Sequence, residues 1–236
     1  MSLHSDANRT LVIMAKAPGS GRVKTRLAEN FPAAAVTELY RSLLEDTLEL
    51  ARSLSGVAVA VVCPHSDEDE LASFFRHTVQ IVAQKGDGLA AGLTSVFQHF
   101  ADDGRRRVIA FNSDTPHLAP SVLEHAFEVL EKRDVVIGPT HDGGYYLVGA
   151  KAAHPSLFKG DGLGTESALD KLLTRTKVLA LSTGFTQPFY DIDVASDLIR
   201  LTAELQLAPA KAPRTAAWIS EWRAAVEQLS RNMSGT

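Results

Sequence analysis

Two spacings of apolar residues alternate along the chain of 236 residues. Short, mainly apolar runs are typical of strands covered on both faces, and they occupy residues 11–15, 57–63, 78–83, 108–111, 135–138, 145–149 and 178–181. Apolar residues that recur every three or four positions predict amphipathic helices, and these occupy 34–54, 68–77, 89–100, 121–132, 166–173, 195–205 and 215–229. The alternation predicts an α/β fold, with a mostly parallel, twisted sheet flanked by helices.

No repeat, low-complexity tract or linker divides the sequence, so we predict a disordered tail over residues 1–8 and a single domain over 9–236. The net charge of -4 disfavours a nucleic-acid partner, which would favour a basic face. No apolar stretch approaches the roughly 18 residues that a bilayer span needs, and the polar start lacks the apolar centre of a signal peptide. We therefore expect a cytoplasmic protein without a membrane span. The one cysteine, Cys63, ends a predicted strand, where a buried, inert thiol is expected.

The first predicted strand runs into a loop with the sequence Lys16-Ala-Pro-Gly-Ser-Gly-Arg-Val-Lys-Thr-Arg26. Its glycines let the backbone approach a ligand closely, and N–H groups at the start of a following helix favour an anion. Its cations suit a di- or triphosphate. The predicted phosphate-binding residues of this loop are Lys16, Gly19, Gly21, Arg22, Lys24 and Arg26.

Two common phosphate loops do not fit this segment. In a P-loop a glycine precedes the Lys-Ser/Thr pair, and Val23 stands there before Lys24 and Thr25. A dinucleotide-binding fingerprint needs a third glycine at position 24, which is Lys24. The loop is therefore neither of these two sites, and a solvated basic loop with ordinary turn glycines stays the alternative to a phosphate site.

Two acidic segments are candidates for holding a metal ion. Asp114 follows a buried strand, where it either ligates Mg²⁺ or Mn²⁺ or starts the Asp-Thr-Pro turn. Asp191 and Asp193 lie two residues apart, so in an extended segment both point the same way and either could complete the metal shell. Asp197 is expected in the first turn of the next helix, where a carboxylate is favourable for local reasons.

Two glycine-containing segments are candidates for contact with a substrate or a nucleotide base. The segment 138–147 contains Asp-Gly-Gly-Tyr-Tyr, in which the glycines either build a tight hairpin or face a substrate. The segment 84–89, Gln-Lys-Gly-Asp-Gly-Leu, is either a simple turn or a place where backbone approaches a flat base. Physical arguments alone leave both pairs of alternatives open.

Together, the opening loop, Ser-Asp-Thr-Pro, Asp-Gly-Gly-Tyr-Tyr and Gln-x-Gly-x-Gly-Leu resemble a bacterial family, DUF2064. This family is also described as radical-SAM/selenodomain-associated transferase 1, with a GT-A (nucleotide-diphospho-sugar transferase) fold. The opening is similar, more distantly, to that of 2-phospholactate guanylyltransferase. The resemblance extends from Leu11 to Arg200 and implies a single-domain GT-A fold for this chain.

The resemblance also implies roles for individual residues. Asp114 would be the metal-binding aspartate, Asp193 would complete the metal shell, and Asp142 would be a general base or accept a hydrogen bond from a substrate hydroxyl. Base and ribose would lie near Gln84, Gly86 and Gly88, whereas the predicted substrate-binding residues are Gly143, Gly144, Tyr145 and Thr165. Thr165 is the remaining match to a Trp-Ser-Thr pattern from which this chain departs.

These residues predict a metal-dependent, glycosyltransferase-like enzyme that uses Mg²⁺ or Mn²⁺. It would transfer a sugar from a nucleotide sugar to a small-molecule acceptor. The alternative within the same class is a nucleotidyltransferase, similar to a guanylyltransferase, that acts on a nucleoside triphosphate and releases pyrophosphate. An alternative of another class is a non-catalytic nucleotide-sensing module.

Overall fold

The computed structural model describes residues 8–19, 23–159, 163–164 and 167–234. The chain divides into two compact units, and each is built from several segments. The first contains the chain through Ala17, Ala51–Asn112 and Ala119–Phe189; the second contains Pro18–Leu50, Ser113–Leu118 and the chain from Tyr190 onward. The single domain over 9–236 stays a prediction. Three predicted site residues, Gly21, Arg22 and Thr165, and residues 1–7 of the predicted tail lie outside the described residues.

The first unit contains a seven-stranded sheet in the order β3-β2-β1-β4-β6-β5-β7. The strands are β1 Thr10–Met14, β2 Ala58–Cys63, β3 Gln80–Ala83, β4 Val108–Asn112, β5 Val135–Pro139, β6 Tyr145–Ala150 and β7 Thr183–Phe185. Only β6 runs antiparallel to its neighbours, which confirms the mostly parallel sheet. The ends of β1 and β4 are paired, Met14 opposite Asn112, so the chain leaves both strands at one edge. In sheets of this kind, ligands bind beyond that edge.

Eight α-helices occur in the described residues: α1 Ala33–Arg52, α2 Glu68–Phe74, α3 Gly88–Asp102, α4 Pro120–Lys132, α5 Ala168–Val178, α6 Ala195–Leu207, α7 Pro213–Glu221 and α8 Arg223–Ser234. In the first unit, apolar side chains of α3 pack with the sheet, and Val12, Leu93 and Phe97 belong to one buried cluster. Cys63 is buried there, and burial raises the pKa of its thiol to about 12, as expected for an inert cysteine. None of the described helices has both the length and the apolarity that crossing a membrane requires.

In the second unit, α1 packs with the C-terminal helices through a buried carboxylate and a tryptophan. Asp46 is 2% exposed and accepts hydrogen bonds from the N–H and the hydroxyl of Thr215, both at 2.8 Å. The indole of Trp218 donates to the carbonyl of Ala35 at 3.0 Å and stacks on Trp222. Trp218 is 5% exposed, so it belongs to the core of this unit.

The predicted strand at 178–181 is wrong. Helix α5 continues through Val178, and the N–H of Leu181 then donates to the carbonyl of Thr176 at 2.9 Å. Ala180 adopts a left-handed φ of 54°, which ends the helix in the manner usually supplied by glycine. An apolar run of four residues does not distinguish a strand from the end of a helix, and the strand of this region, β7, begins at Thr183.

Two predicted helices also differ from the structure. The segment 215–229 forms two helices rather than one, because the backbone turns at Trp222 between α7 and α8. The basic loop does not run directly into a long helix, because a short 3₁₀ turn, Leu27–Glu29, follows it and α1 begins only after Pro32. The predicted contribution of a helix dipole to phosphate binding in this loop is therefore wrong.

Candidate functional site

The centre of the candidate site is Lys24, in the second unit. Its Nζ lies 2.6 Å from Oδ2 of Asp114 and 3.9 Å from Oδ1 of Asp193, and its side chain is only 6% exposed. Its backbone has a φ of 51°, a left-handed conformation that costs an L-residue about 1 kcal/mol. Lys24, which the sequence predicted as a phosphate ligand, therefore lies beside Asp114 and Asp193, which it predicted as metal ligands.

Asp193 is held from two sides. Its Oδ2 lies 2.9 Å from a guanidinium nitrogen of Arg26, whose side chain is 66% exposed. Its backbone N–H donates to Oδ2 of Asp197 at 3.0 Å, and the N–H of Val194 donates to the same oxygen at 2.8 Å. Asp197 thus caps the start of α6, as predicted, and fixes the backbone that presents the Asp193 carboxylate.

The loop that carries Asp114 is anchored by α1 and by the segment before α6. The carbonyl of Asp114 accepts a hydrogen bond from the N–H of Ile192 at 3.1 Å. Thr47 donates through its hydroxyl to the carbonyl of Ser113 at 3.1 Å, and the hydroxyls of Tyr40 and Ser113 lie 3.2 Å apart. The sequence analysis missed Tyr40 and Thr47. Thr47 is fully buried, and this burial becomes apparent only from the fold.

His117, three residues after Asp114, is 1% exposed. Burial lowers its pKa to about 4, although the nearby carboxylate of Glu204 opposes that shift. Its ring lies 4.8 Å from the ring of Tyr190, whose other contacts include the guanidinium of Arg200, 3.7 Å from the ring centre. His117 is therefore a neutral side chain in the core of the second unit, and the sequence analysis did not single it out.

The start of the basic loop lies in the first unit and depends on a residue that the sequence analysis missed. The N–H of Ala17 donates to Oδ2 of Asp67 at 2.8 Å, and Asp67 is 5% exposed. Lys16 is exposed beside this anchor, whereas Gly19 belongs to the second unit. No local pattern identifies Asp67, because its partner lies 50 residues away in sequence.

Asp142, in the first unit, builds its own turn. Its Oδ1 accepts hydrogen bonds from the hydroxyl of Thr140 and, at 3.2 Å, from the N–H of Gly144. The bond from Thr140 is the main cause that lowers the pKa of Asp142 below its ordinary value. Gly143 has a φ of 88°, which favours glycine. A carboxylate with a lowered pKa is a weak base, and a catalytic role for Asp142 stays a prediction.

The two tyrosines that follow point in opposite directions, as an extended strand requires. The hydroxyl of Tyr146 lies 2.7 Å from that of Thr186 and donates to the carbonyl of Gln187 at 3.1 Å. The hydroxyl of Tyr145 is buried and has no hydrogen-bond partner within the described part of the chain. Burial raises the pKa of Tyr145, so the phenol is neutral and able to donate. A substrate-binding role for Tyr145 stays a prediction.

The predicted base-binding segment forms a turn closed by its own glutamine. The side-chain amide of Gln84 donates to the carbonyl of Gly86 at 2.9 Å. Gly86 and Gly88 have φ values of 80° and 79°, which other residues rarely adopt. The glycines are therefore explained by backbone conformation, and contact with a nucleotide stays a prediction.

The residues around Lys24 fit a hard divalent cation. Two carboxylates, Asp114 and Asp193, converge on one positive charge, and the ammonium stands where a cation could be held by both. No three His, Cys, Asp or Glu side chains gather as a metal-ligand set in the described residues. Mg²⁺ commonly uses one or two carboxylates and leaves its other positions to waters and substrate phosphates. Two converging carboxylates match that ligand requirement.

The fold is that of the nucleotide-diphospho-sugar transferases. A protein of known structure from Desulfovibrio desulfuricans G20, described as a nucleotide-diphospho-sugar transferase, is 26% identical, with a TM-score of 0.86 over 94% of this chain and 97% of that one. A family model described as "Uncharacterized protein conserved in bacteria (DUF2064)" matches residues 47–165. The chain belongs to this family. The matched region includes Asp114 and Asp142, whereas Lys24 and Asp193 lie outside it.

Two curated relatives are 2-phospho-L-lactate guanylyltransferases. The one from Methanocaldococcus sp. (strain FS406-22) is 25% identical over 142 residues, and the one from Methanocaldococcus jannaschii is 23% identical over 155 residues. The matched regions span 59% and 65% of the lengths of these relatives. These relatives and the structural neighbour are all named as transferases, the class of enzyme that the sequence predicted.

Proposed function

We propose that this protein is a metal-dependent transferase that binds the diphosphate of a nucleotide sugar at Lys24 and transfers the sugar to a small-molecule acceptor. The observation that carries the proposal is the buried ammonium of Lys24 between the carboxylates of Asp114 and Asp193. The whole-length similarity to a protein described as a nucleotide-diphospho-sugar transferase supports the choice of donor.

The charges of the site suit a diphosphate leaving group. In the proposed reaction an oxygen of the acceptor bonds to C1 of the sugar, the bond from C1 to the phosphate oxygen breaks, and its electron pair leaves with the nucleoside diphosphate. Lys24 and Arg26 lower the free energy of that developing negative charge. A Mg²⁺ or Mn²⁺ ion held by Asp114 and Asp193 would neutralise further charge on the phosphates.

The proton of the acceptor hydroxyl leaves to water. In the first unit, the buried hydroxyl of Tyr145 has no hydrogen-bond partner among the described residues, which supports its predicted role as a donor to a ligand.

A second candidate is nucleotidyl transfer, which the two guanylyltransferase relatives favour. Here an acceptor oxygen attacks the α-phosphorus of a nucleoside triphosphate, and pyrophosphate leaves with the electron pair of the broken bond. The same cations would stabilise the leaving group, since Lys24 and Arg26 recognise phosphate charge rather than a particular ester.

Product analysis tests these proposals. The protein is incubated with nucleotide sugars and with nucleoside triphosphates in the presence of Mn²⁺. Free nucleoside diphosphate supports sugar transfer, and pyrophosphate supports nucleotidyl transfer. We expect Lys24→Ala to weaken nucleotide binding while the protein stays folded, and Lys132→Ala, at the exposed end of α4, to leave it unchanged.

Thermal stability provides the test against a nucleotide-sensing module. We expect UDP- or GDP-type ligands to raise the melting temperature only when Mg²⁺ or Mn²⁺ is present. A shift that needs no metal and is unchanged in Asp114→Ala would contradict the enzyme proposal and identify a non-catalytic sensor.

A further inference from the structure

We propose that Lys24 is a built-in counter-cation that competes with the divalent metal for Asp114 and Asp193, so that tight metal binding requires phosphate to draw the ammonium away. The inference rests on the proposed function for the identity of the phosphate ligand. It goes further by coupling the metal and the nucleotide through one side chain.

The ammonium lies where a metal bound to Asp114 would also have to lie. The Nζ of Lys24 lies 2.6 Å from Oδ2 of Asp114. Metal–oxygen distances for Mg²⁺ are about 2.0–2.1 Å, so a metal ligated by that oxygen would meet the ammonium at close range. Because both are cations in a poorly solvated place, their repulsion is only weakly screened. The ion pair and the metal complex are therefore alternatives at Asp114.

The backbone of Lys24 is fixed. Its carbonyl accepts hydrogen bonds from the N–H groups of Leu27 at 2.9 Å and Ala28 at 3.3 Å. The left-handed φ of 51° is strained, and the surrounding turn maintains it. The exchange therefore takes place by rotation of the lysine side chain, whose ammonium can move from a carboxylate to a phosphate oxygen.

The two carboxylates differ in their exposure and in their partners. Asp193 also contacts Arg26, which is largely exposed and therefore well hydrated. Asp114 is the more buried carboxylate, with a side chain that is 20% exposed against 44% for Asp193, and its ion pair with Lys24 is the shorter one. The competition is consequently strongest at Asp114.

This competition couples the binding of metal to the binding of phosphate. A phosphate that binds Lys24 leaves the carboxylates available to metal, and a metal on the carboxylates leaves Lys24 available to phosphate. Each ligand therefore raises the affinity of the other, and the coupling is reciprocal. Removal of the ammonium has opposite effects on the two ligands, because phosphate loses a partner while the metal loses a competitor.

The experiment measures Mn²⁺ binding without any nucleotide, by titration followed with electron paramagnetic resonance. We expect Lys24→Met to bind Mn²⁺ roughly tenfold more tightly than the wild type. Lys132→Met makes the same change in net charge at the exposed end of α4 and controls for long-range electrostatics; its affinity should stay within about twofold of the wild type. Lys24→Gln serves as a second neutral variant if Lys24→Met does not fold, as judged by circular dichroism.

The location of the metal is tested with a double variant. Lys24→Met combined with Asp114→Asn should lose the gain in Mn²⁺ affinity. Equal or weaker Mn²⁺ binding by both neutral Lys24 variants would overturn the inference, and so would a gain that persists in the double variant. Because no donor or acceptor is present, these results are independent of the proposed transfer. Tighter Mn²⁺ binding without any transfer activity would retain the inference and reject the proposed function.

Discussion

Two loops of this protein each present an aspartate, and the two carboxylates have different kinds of partner. Asp114, in the loop 113–118 of the second unit, meets the ammonium of Lys24, a residue distant in sequence. Asp142, in the turn 140–144 of the first unit, accepts hydrogen bonds from Thr140 and Gly144, each two residues away. The first carboxylate depends on tertiary structure for its partner, whereas the second completes a local turn.

This difference indicates what each aspartate is for. A buried ion pair gives little net stability, because desolvation of both charges offsets most of their attraction. The backbone of Lys24 is also strained, with a left-handed φ of 51°. A short local turn, in contrast, gains directly from a carboxylate that accepts two hydrogen bonds. Stability thus explains Asp142 and leaves the ion pair at Asp114 to be explained by a ligand.

The largest predicted effect is on transfer activity in Asp114→Asn. The change keeps the shape of the side chain but removes its charge, so the metal and Lys24 both lose their main anion. We expect kcat/KM to fall roughly 100- to 1000-fold in the transfer assay. Asp142→Asn makes the same chemical change in the other loop, and there we expect a fall of about tenfold, as its lowered pKa makes it a weak base. Equal losses in the two variants would remove the distinction between the loops.

The second prediction concerns pH. His117, in the loop of Asp114, has a pKa of about 4 in the folded protein, below its ordinary 6.5, so the unfolded chain binds the proton first. The free energy of unfolding should therefore fall as the pH drops from about 6.5 to 4, by up to about 3 kcal/mol. Asp142, whose pKa is also lowered, loses its stabilising contribution only as the pH falls below its ordinary value of 3.8. Acid thus affects the two loops in separate pH windows.

Denaturant titrations between pH 7 and pH 4 measure this effect, and His117→Gln is the informative variant. It should be less stable at pH 7 but lose less stability on acidification than the wild type. The charges that act on His117 are Glu204, which favours protonation, and Lys211 and Arg200, which oppose it. The same pH slope in wild type and variant would show that His117 is not the titrating group.

The sequence predicted the fold well because hydrophobic spacing reports burial directly. Runs such as 108–111 became central strands, and the long periodic segment at 34–54 became α1. The errors lie where spacing carries little information. An apolar run at 178–181 closed a helix through Ala180, and a continuous apolar stripe in the tail did not reveal the turn at Trp222. The residues at which helices and strands end depend on local backbone geometry, which hydrophobic periodicity does not encode.

The sequence predicted only part of the candidate site. Lys24, Asp114 and Asp193 stand in recognisable segments, and the structure brings them together. Asp67 and Thr47 do not stand in recognisable segments, because each acts through a hydrogen bond to a residue far away in the sequence. Supporting residues of this kind become visible only when the fold is known.

The third prediction separates the structural role of Asp142 from its chemical one. Asp142→Ala removes the acceptor for both Thr140 and Gly144 and should lower the free energy of unfolding by about 1 kcal/mol. Asp142→Asn keeps an acceptor oxygen and should recover most of that loss in denaturant titrations. If both variants are as stable as the wild type, the turn does not need this side chain, and the argument for a local role of Asp142 fails.

The last prediction tests the anchor of the other loop. Thr47→Val keeps the volume of the side chain but removes the hydroxyl that donates to the carbonyl of Ser113, next to Asp114. We expect a loss of about 1 kcal/mol in the free energy of unfolding, because a buried carbonyl loses its donor. Thr37→Val is the matched control, since that hydroxyl lies on the same helix, donates to Ala33 and is only partly buried; it should change stability by less than about 0.5 kcal/mol. A shifted Asp114 should also weaken Mn²⁺ binding in Thr47→Val but not in Thr37→Val, whereas a purely structural Thr47 would lower stability and leave Mn²⁺ affinity unchanged.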